Sequence, residues 1–324
     1  MNIQDVFAAY REDLNLVEQS INAHVISEIK LIPEIAHHLI DSGGKRFRPL
    51  LLLICARLCG YRGKSRIPMA TVMEFFHTAT LLHDDVIDQA SMRRGKASAN
   101  QVFGNSVSIL VGDFLSFKAF TLMTGIGRMD ILKLISEMGK VMSEGEVFQL
   151  TKRGDIRMQQ KDYLNIIERK TAVLISASCA AGAILASTSQ EKIHALARFG
   201  TLIGMAFQIT DDILDYTAPS KRFGKSLGKD LEEGKITLPL LFTIKNCSEE
   251  EKQRIREIIS GRKISQKHMR EIIGLINKYD AIDASMAIAA TYLKKAKSQL
   301  KIFRDGPEKE HLKTVAEYVI TRKE

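Results

Sequence analysis

The chain has 324 residues, with 47 lysines and arginines against 38 aspartates and glutamates, which gives a formal charge of +9. Hydrophobic residues make up 45% and charged residues 26%, which is ordinary for a soluble globular protein, and a chain of this size can bury a deep core. Aromatic residues are few, tryptophan is absent, and the basic residues fall in short separate clusters. This pattern argues against a nucleic-acid-binding protein and favours small substrates that carry phosphate.

Cysteine usage and the amino-terminal segment indicate a cytoplasmic protein. Cys55, Cys59, Cys179 and Cys247 lie in apolar or mixed helical stretches without the spacing of a Cys/His metal site, so we expect reduced thiols. The first residues lack the basic and apolar regions of a secretion signal, and no stretch is expected to span a bilayer. Peripheral contact with a membrane remains open.

Apolar residues recur at helical spacing through nearly the whole chain, and no segment shows sustained strand alternation. The pattern predicts an all-α fold in one domain, 1–324, because no stretch resembles a linker. Two irregular basic connections are expected at Asp41–Arg48 and Thr217–Lys235. Helices are predicted from residue 1 to about 40, with a break or kink at Pro33, and then at about 47–60, 67–90, 98–125, 129–153, 160–187, 191–217, 236–246, 249–261, 266–302 and 307–322.

A first acidic cluster, Asp84-Asp85-Val86-Ile87-Asp88, stands at the end of an apolar helix. Residues four apart lie on one helix face, so Asp84 and Asp88 point the same way and repel each other. A bound hard cation would relieve that repulsion, and magnesium favours carboxylate, water and phosphate oxygens. A single match of this kind is more often the solvated acidic end of a helix.

A second acidic cluster, Asp211-Asp212-Ile213-Leu214-Asp215, repeats the arrangement in another apolar helix far away in the sequence. A chance pair of such clusters is much rarer than a single one, so the pair favours a functional interpretation. If the two helices face each other, their carboxylates could hold several magnesium ions on one diphosphate group.

Basic residues form a complementary set. The turn Gly43-Gly44-Lys45-Arg46-Phe47-Arg48-Pro49 precedes a helix, where backbone N–H groups and guanidinium groups can reach a phosphate, although by itself such a turn is more readily interpreted as an exposed loop. Arg93 and Arg94 follow the first cluster within about two helical turns. His77 lies seven positions before Asp84 on nearly the same face, as a core histidine or a phosphate donor. Isolated donors are Lys170-Thr171, Lys225 and Lys235, each of which alone is more often a surface residue.

Together these strings resemble the all-trans polyprenyl diphosphate synthase family. The resemblance implies an isoprenoid synthase-like helical bundle around a central apolar cavity, usually a homodimer. It also implies a prenyltransferase that condenses isopentenyl diphosphate head-to-tail with an allylic diphosphate such as farnesyl diphosphate. The matching segments occur in the family's order and are Gly43–Pro49, His77–Asp88, Met92–Lys96, Phe103–Asn105, Gly112–Phe114, Gly145–Glu146, Lys170–Ala172, Phe207–Asp215 and Gly234–Leu240; no motif follows about residue 245.

The resemblance also assigns site residues. Asp84, Asp88 and Asp211 would be the principal ligands of two or three magnesium ions, and Asp85, Asp212 and Asp215 would support them. The allylic diphosphate would contact Arg93, Lys170, Thr171, Gln208, Lys225 and Lys235, with Lys170 counted among the catalytic residues. Isopentenyl diphosphate would contact Lys45, Arg48, His77 and Arg94.

The expected product is a long all-trans chain. About one turn before Asp84, Ala79 and Thr80 are small, whereas short-chain members of the family carry an aromatic residue at one of these positions. A growing chain could pass them toward a deeper floor that includes Phe76 and Met123. The resemblance implies an octaprenyl product for a ubiquinone or menaquinone side chain.

Four alternatives stay open at this point. The product could be shorter, of geranylgeranyl length, or the chain could be a non-catalytic partner subunit of a heteromeric synthase. A terpene cyclase normally has Asn, Ser and Glu ligands at its second metal site, which differs from the second Asp cluster. The doublet His83-Asp84 suggests an HD-type phosphohydrolase, but the His37-His38 pair lacks the spacing that this fold needs.

Overall fold

The computed structural model describes residues 1–217, 228–261 and 264–322. Of the residues that the structure describes, 79% are helical, which confirms the predicted all-α class. Within the described residues, β structure is limited to an antiparallel pair of short strands, β1 (Met92–Arg93) and β2 (Lys96–Ala97). The helices are α1 (Ile3–Ala9), α2 (Arg11–His24), α3 (Leu31–Ile40), α4 (Phe47–Leu58), α5 (Arg66–Ile87), α6 (Ala99–Phe103), α7 (Asn105–Ile126), α8 (Met129–Lys152), α9 (Gln160–Ile167), α10 (Val173–Leu185), α11 (Gln190–Thr217), α12 (Lys229–Glu232), α13 (Leu238–Asn246), α14 (Glu249–Ser260), α15 (Gln266–Lys278), α16 (Ala281–Gln299) and α17 (Pro307–Thr321), with a π-helical segment at Glu168–Ala172 and a 3-10 turn at Leu300–Ile302.

Several predicted helices are interrupted. The predicted first helix is three helices that break at Tyr10 and between α2 and α3, whereas Pro33 lies in the first turn of α3, where no N–H donor is needed. Gly104 has a φ of 92° between α6 and α7, and Asp280 has a φ of 50° between α15 and α16. A positive φ cannot continue a right-handed helix, and apolar periodicity does not detect single-residue breaks.

The chain divides into two compact units. The predictions of a single domain and of a central cavity stay predictions. The first unit comprises Met1–Met138, Leu174–Gly200 and Leu300–Val315, and the second comprises Gly139–Val173, Thr201–Gln299 and Ala316–Glu324.

The core of the first unit is built around α4, whose residues Pro49 to Ala56 are all buried. A helix that is apolar on every face belongs in the interior of a protein. Beside it, α5 packs on α7, and the rings of Phe76 and Phe120 meet edge to face with centroids 5.6 Å apart. This packing holds α5 firmly, and the first acidic cluster lies at the end of α5.

In the second unit, α11 crosses the π-helical segment at close range, because a Cβ placed on Gly204 would lie 2.6 Å from the Cα of Ala172. The helices α13, α15 and α16 pack together, with Ile272, Ile276 and Ala289 fully buried. The second acidic cluster therefore stands on a helix that is fixed against the segment carrying Lys170 and Thr171.

One helix bears on the expectation that no stretch spans a bilayer. Among the described residues, the 22-residue helix α7 is long and apolar enough to cross a membrane by length and composition. Only 28% of this apolar stretch is buried. A single helix of this kind is weak evidence for a membrane span, because helices of soluble proteins pass the same test.

Candidate active site

The first acidic cluster has one buried and two half-buried carboxylates. Asp84 and Asp88 are half-buried, and the backbone N–H of Asp88 donates to the carbonyl of Asp84 over 2.8 Å as α5 ends. Asp85 is fully buried and binds the Arg93 guanidinium, whose Nε lies 2.7 and 2.9 Å from its two oxygens. Asp85 therefore positions Arg93, whereas the carboxylates of Asp84 and Asp88 remain partly accessible to solvent.

A two-residue hairpin holds Arg93 and Arg94 next to this cluster. Arg94 and Gly95 connect β1 to β2 with φ values of 50° and 79°, the mirror-image turn that suits a hairpin. A positive φ is unfavourable for arginine, so the residue is held there by its surroundings. The Arg94 guanidinium lies over the glycine turn, because a Cβ placed on Gly44 would be 3.2 Å from Nη1 of Arg94.

The glycine turn adds two further arginines. Arg46 binds Glu18 and donates from Nη1 to the buried Glu74 over 2.9 Å. Burial, with Arg94 nearby, lowers the pKa of Arg48 to about 10 despite the opposing charge of Glu74. The buried Nε of Arg48 has no hydrogen-bond partner among the described residues. A crowded cation with an unused donor suits a bound polyanion.

His77 belongs to the same cationic cluster. Burial lowers the pKa of His77 well below its usual value, and the charges of Arg48, Arg94 and other arginines lower it further. The imidazole is therefore neutral at physiological pH and carries a single N–H donor. This environment favours the phosphate-donor interpretation over that of an isolated core histidine.

The lowered pKa of His77 predicts how stability changes with pH. The unfolded chain binds a proton on this residue near pH 6.5 and the folded chain does not, so the penalty is absent above about pH 7.5 and grows as the pH falls. His77→Gln cannot ionise and should lose less thermal stability than the wild type between about pH 7.5 and pH 5. Melting curves of both proteins at the two pH values test this, and equal losses would contradict it.

The residues predicted to limit the length of the product also lie in the first unit, as does Lys45. Ala79 and Met123 are buried, Phe76 packs on Phe120, and the Thr80 hydroxyl donates to the carbonyl of His77 over 2.9 Å. Lys45 is exposed in the glycine turn.

The second unit places Lys170 and Thr171 on the π-helical segment. Lys170 pairs with Glu146 and donates to Oε1 of Gln149 over 2.6 Å. Gly145 permits this approach of α8, since a Cβ there would lie 2.5 Å from the Cβ of Arg169. Insertions of this kind in helices often occur at functional sites.

A chain of hydrogen bonds joins this segment to the second acidic cluster. Thr171 donates to Oε1 of Gln208 over 2.7 Å, and Nε2 of Gln208 donates to Oδ1 of Asp212 over 2.7 Å. The Tyr163 hydroxyl donates to Oδ2 of the same carboxylate over 2.6 Å. Burial raises the pKa of Asp212 to about 7, and Asp211 adds to this while the two donors oppose it. Asp212 is thus a buried carboxyl group with a hydrogen bond to each of its two oxygens.

The other two carboxylates of the second cluster have different surroundings. Asp215 accepts hydrogen bonds from the backbone N–H groups of Lys229 and Asp230, 3.2 and 3.0 Å away, and so caps α12. Burial and the charge of Asp215 raise the pKa of Asp230. Asp211 is 56% exposed and lies 3.2 Å from Nη2 of Arg322.

The remaining predicted donors are Lys235 and Lys225. Lys235 donates from Nζ to Oε2 of Glu233 over 2.6 Å, while Lys225 lies outside the described residues. The structure therefore brings together the residues of the first cluster with the glycine turn and His77 in one unit. In the other unit it brings together Lys170, Thr171 and Gln208 with the second cluster.

Four residues that contact the candidate site were not predicted from the sequence. Glu74 gave a weak signal, as an acidic residue inside an apolar helix three positions before His77. Glu146 was quoted in a motif without a role. Tyr163 and Arg322 gave no signal, because their importance depends on partners about 50 and 110 positions away in the chain.

The carboxylates fit a hard cation. In the described part of the chain, no group of three or more His, Cys, Asp or Glu side chains could hold a metal ion by itself. Magnesium needs only one or two carboxylates when waters and substrate phosphates supply the other ligands. Asp84 and Asp88 supply such a pair. Burial and the charges of neighbouring carboxylates raise the pKa of Asp212 and Asp230, and a bound cation would offset that repulsion.

Comparisons with known proteins identify the family of the chain. The family model described as Polyprenyl synthetase matches residues 29–276. Octaprenyl diphosphate synthase of Escherichia coli (strain K12) is 37% identical over 323 residues, 99% of each chain. Heptaprenyl diphosphate synthase component 2 of Bacillus subtilis (strain 168) is 36% identical over 324 residues, 100% of this chain and 92% of that protein.

A solved structure shows the same fold. Polyprenyl synthase from Caulobacter crescentus CB15, crystallised with calcium and isoprenyl diphosphate, superposes with a TM-score of 0.96 at 38% identity over 100% of this chain and 98% of that one. The expected isoprenoid synthase fold is therefore confirmed. The chain belongs to the polyprenyl synthetase family and is a prenyltransferase of the long-chain trans-prenyl diphosphate synthase type.

Proposed function

We propose that this enzyme uses magnesium to extend an allylic diphosphate, with farnesyl diphosphate as the primer, to a product near octaprenyl length. The arrangement along α5 carries the proposal. His77 stands seven residues before Asp84, which places the two on nearly one helix face about 10 Å apart along the axis. One helix thus runs from the cationic cluster around His77 to the carboxylates that would bind metal, two turns later, as two diphosphate substrates require.

Asp84 and Asp88 of the first cluster and Asp211 of the second would hold two or three magnesium ions. Bound there, the ions would supply positive charge to a departing diphosphate. The half-buried position of the first two carboxylates and the exposure of the third support this assignment. Asp85, Asp212 and Asp215, which are bonded to Arg93, Tyr163 and α12, would keep neighbouring groups in place.

The chain's own cations would bind and stabilise the allylic diphosphate. As the allylic C–O bond ionises, fixed donors stabilise the charge that develops on the leaving group. Apolar residues exclude water, which would otherwise quench the carbocation. The double bond of isopentenyl diphosphate then attacks, and the proton lost from the adduct goes to the released diphosphate. The proposed donors are Arg93, Lys170, Thr171, Gln208, Lys225 and Lys235.

Isopentenyl diphosphate would bind Lys45, Arg48, His77 and Arg94. Arg48→Ala should raise the KM for isopentenyl diphosphate about tenfold to a hundredfold, since a hydrogen bond to a charged group is worth about 1.5–3 kcal/mol. The KM for the allylic substrate should change little. Initial rates with each substrate varied in turn measure the difference.

Arg62→Ala is the matched control for this prediction. Arg62 is largely exposed and lies 3.8 Å from Glu308, so it is an arginine of the same unit without a predicted role. An Arg48→Ala enzyme whose KM values rise equally for both substrates would contradict the assignment of Arg48.

A homodimer is the proposed assembly. Exposed apolar side chains on α7 support it: Leu110 is 64% exposed and Phe117 is 70% exposed, seven positions later on the same helix face. Sedimentation equilibrium would return the mass of one chain if the proposal is wrong. A cytoplasmic location, peripheral membrane contact during product release and a quinone side chain as the use of the product are proposals from the family resemblance.

One assay tests the proposed reaction. Purified protein is incubated with farnesyl diphosphate, labelled isopentenyl diphosphate and magnesium, and the products are sized with and without a chelator. Products near octaprenyl length that disappear with chelator are expected. Products no longer than geranylgeranyl diphosphate would overturn the long-chain proposal, and incorporation with chelator present would overturn the metal requirement.

A further inference from the structure

Arg322 directly follows α17 and occupies a defined slot on α11. Its side chain is only 7% exposed, and its guanidinium carbon lies 3.7 Å from the ring centroid of Phe207. Nη2 donates to the Phe207 carbonyl over 2.9 Å, and the buried Nε has no partner in the described part of the chain. Burying a cation is unfavourable unless it is paired and hydrogen-bonded, so these contacts make a defined site for the arginine.

The same nitrogen reaches the second acidic cluster. Nη2 of Arg322 also donates to Oδ1 of Asp211 over 3.2 Å. Asp211 stands next to Asp212 and within one turn of Asp215, so the cluster carries like charges at close range. Arg322 therefore places a fixed positive charge on the most exposed carboxylate of the cluster.

We propose that Arg322 is a built-in counter-cation of the second acidic cluster, and that it must release Asp211 before a magnesium ion can bind that carboxylate. The inference rests on the proposed function, in which Asp211 is a metal ligand. The guanidinium can keep its 2.9 Å bond and its ring contact with Phe207 and give up only the longer bond to Asp211. Arg322 thus raises the magnesium concentration that the enzyme needs.

The test measures metal binding without turnover. Thermal unfolding is followed at a saturating concentration of inorganic diphosphate while magnesium is increased, and the magnesium concentration that gives half of the stabilisation is recorded. Arg322→Gln should lower this concentration about twofold to fivefold, the range of a partly exposed ion pair. Without magnesium, the same variant should melt at a lower temperature than the wild type, because Asp211 has lost its counter-charge.

Two further variants make the test specific. Lys297→Gln removes the same charge from an exposed ion pair with Glu317 of α17, 2.6 Å apart, and should leave the magnesium requirement unchanged. Arg322→Met keeps an apolar side chain against Phe207 and should lower the magnesium requirement as Arg322→Gln does. It therefore replaces Arg322→Gln in the test if the glutamine variant does not fold.

The outcomes separate this inference from the proposed function. An unchanged or higher magnesium requirement in the Arg322 variants, relative to Lys297→Gln, would overturn the counter-cation role, since Arg322 would then merely pack or position Asp211. Failure of the proposed function is seen separately, as a wild-type protein that incorporates no labelled isopentenyl diphosphate at any magnesium concentration.

Discussion

Replacing Asp84 with asparagine is expected to lower prenyl transfer about a hundredfold to a thousandfold, as the loss of one electrostatic stabiliser does in other enzymes. Asparagine keeps the size of the side chain but offers no negative charge to a magnesium ion. The half-buried position near the end of α5 indicates that the fold tolerates the change. Incorporation of labelled isopentenyl diphosphate at saturating substrate and magnesium measures the effect.

Asp41→Asn is the control for this substitution. The Asp41 carboxylate is 66% exposed, belongs to the same unit and lies 3.5 Å from Nδ1 of His37. Asp41 is not among the predicted site residues. Its activity should equal that of the wild type. If Asp84→Asn retained more than about a tenth of the wild-type rate, where a thousandth to a hundredth is expected, Asp84 could not be a principal metal ligand.

Ala79→Tyr is expected to shorten the product from a long polyprenyl chain to one near geranylgeranyl length. Ala79 is 1% exposed on α5, five residues before Asp84, so a ring there would fill the space along which the chain is proposed to grow. Chromatographic sizing of the labelled products measures the change. The rate of the first condensations should be affected much less than the final length.

Overpacking complicates this substitution, because additional atoms in a packed interior cost about 1–3 kcal/mol. Thermal unfolding of Ala79→Tyr therefore accompanies the product analysis. Ala79→Ser is the matched variant, since it keeps the position small and should leave the product length unchanged. A folded Ala79→Tyr enzyme that still makes the wild-type product would exclude Ala79 from the product wall.

The all-α class could be predicted from the sequence because apolar periodicity extends through nearly every helix. The ends of the helices could be predicted less well. Gly104 and Asp280 interrupt helices through a positive φ at one residue, and such a residue hardly alters the apolar pattern around it. The π-helical segment Glu168–Ala172 was not predicted either, because a single-turn bulge within a helix hardly alters the apolar pattern of the sequence.

The candidate site was predictable where residues occur as local motifs. The spacing of Asp84 and Asp88 already places two carboxylates on one face, and the structure leaves both half-buried at the end of α5. Partners distant in the chain were not predictable. Tyr163 supports Asp212, and Arg322 pairs with Asp211, through contacts that exist only after folding.

A crystal structure with manganese and inorganic diphosphate would test the proposed metal ligands most directly, because anomalous scattering locates the manganese ions. The proposed mechanism predicts ions on the carboxylates of Asp84, Asp88 and Asp211, all in contact with one diphosphate. Ions confined to one acidic cluster, or a diphosphate bound away from either cluster, would contradict it.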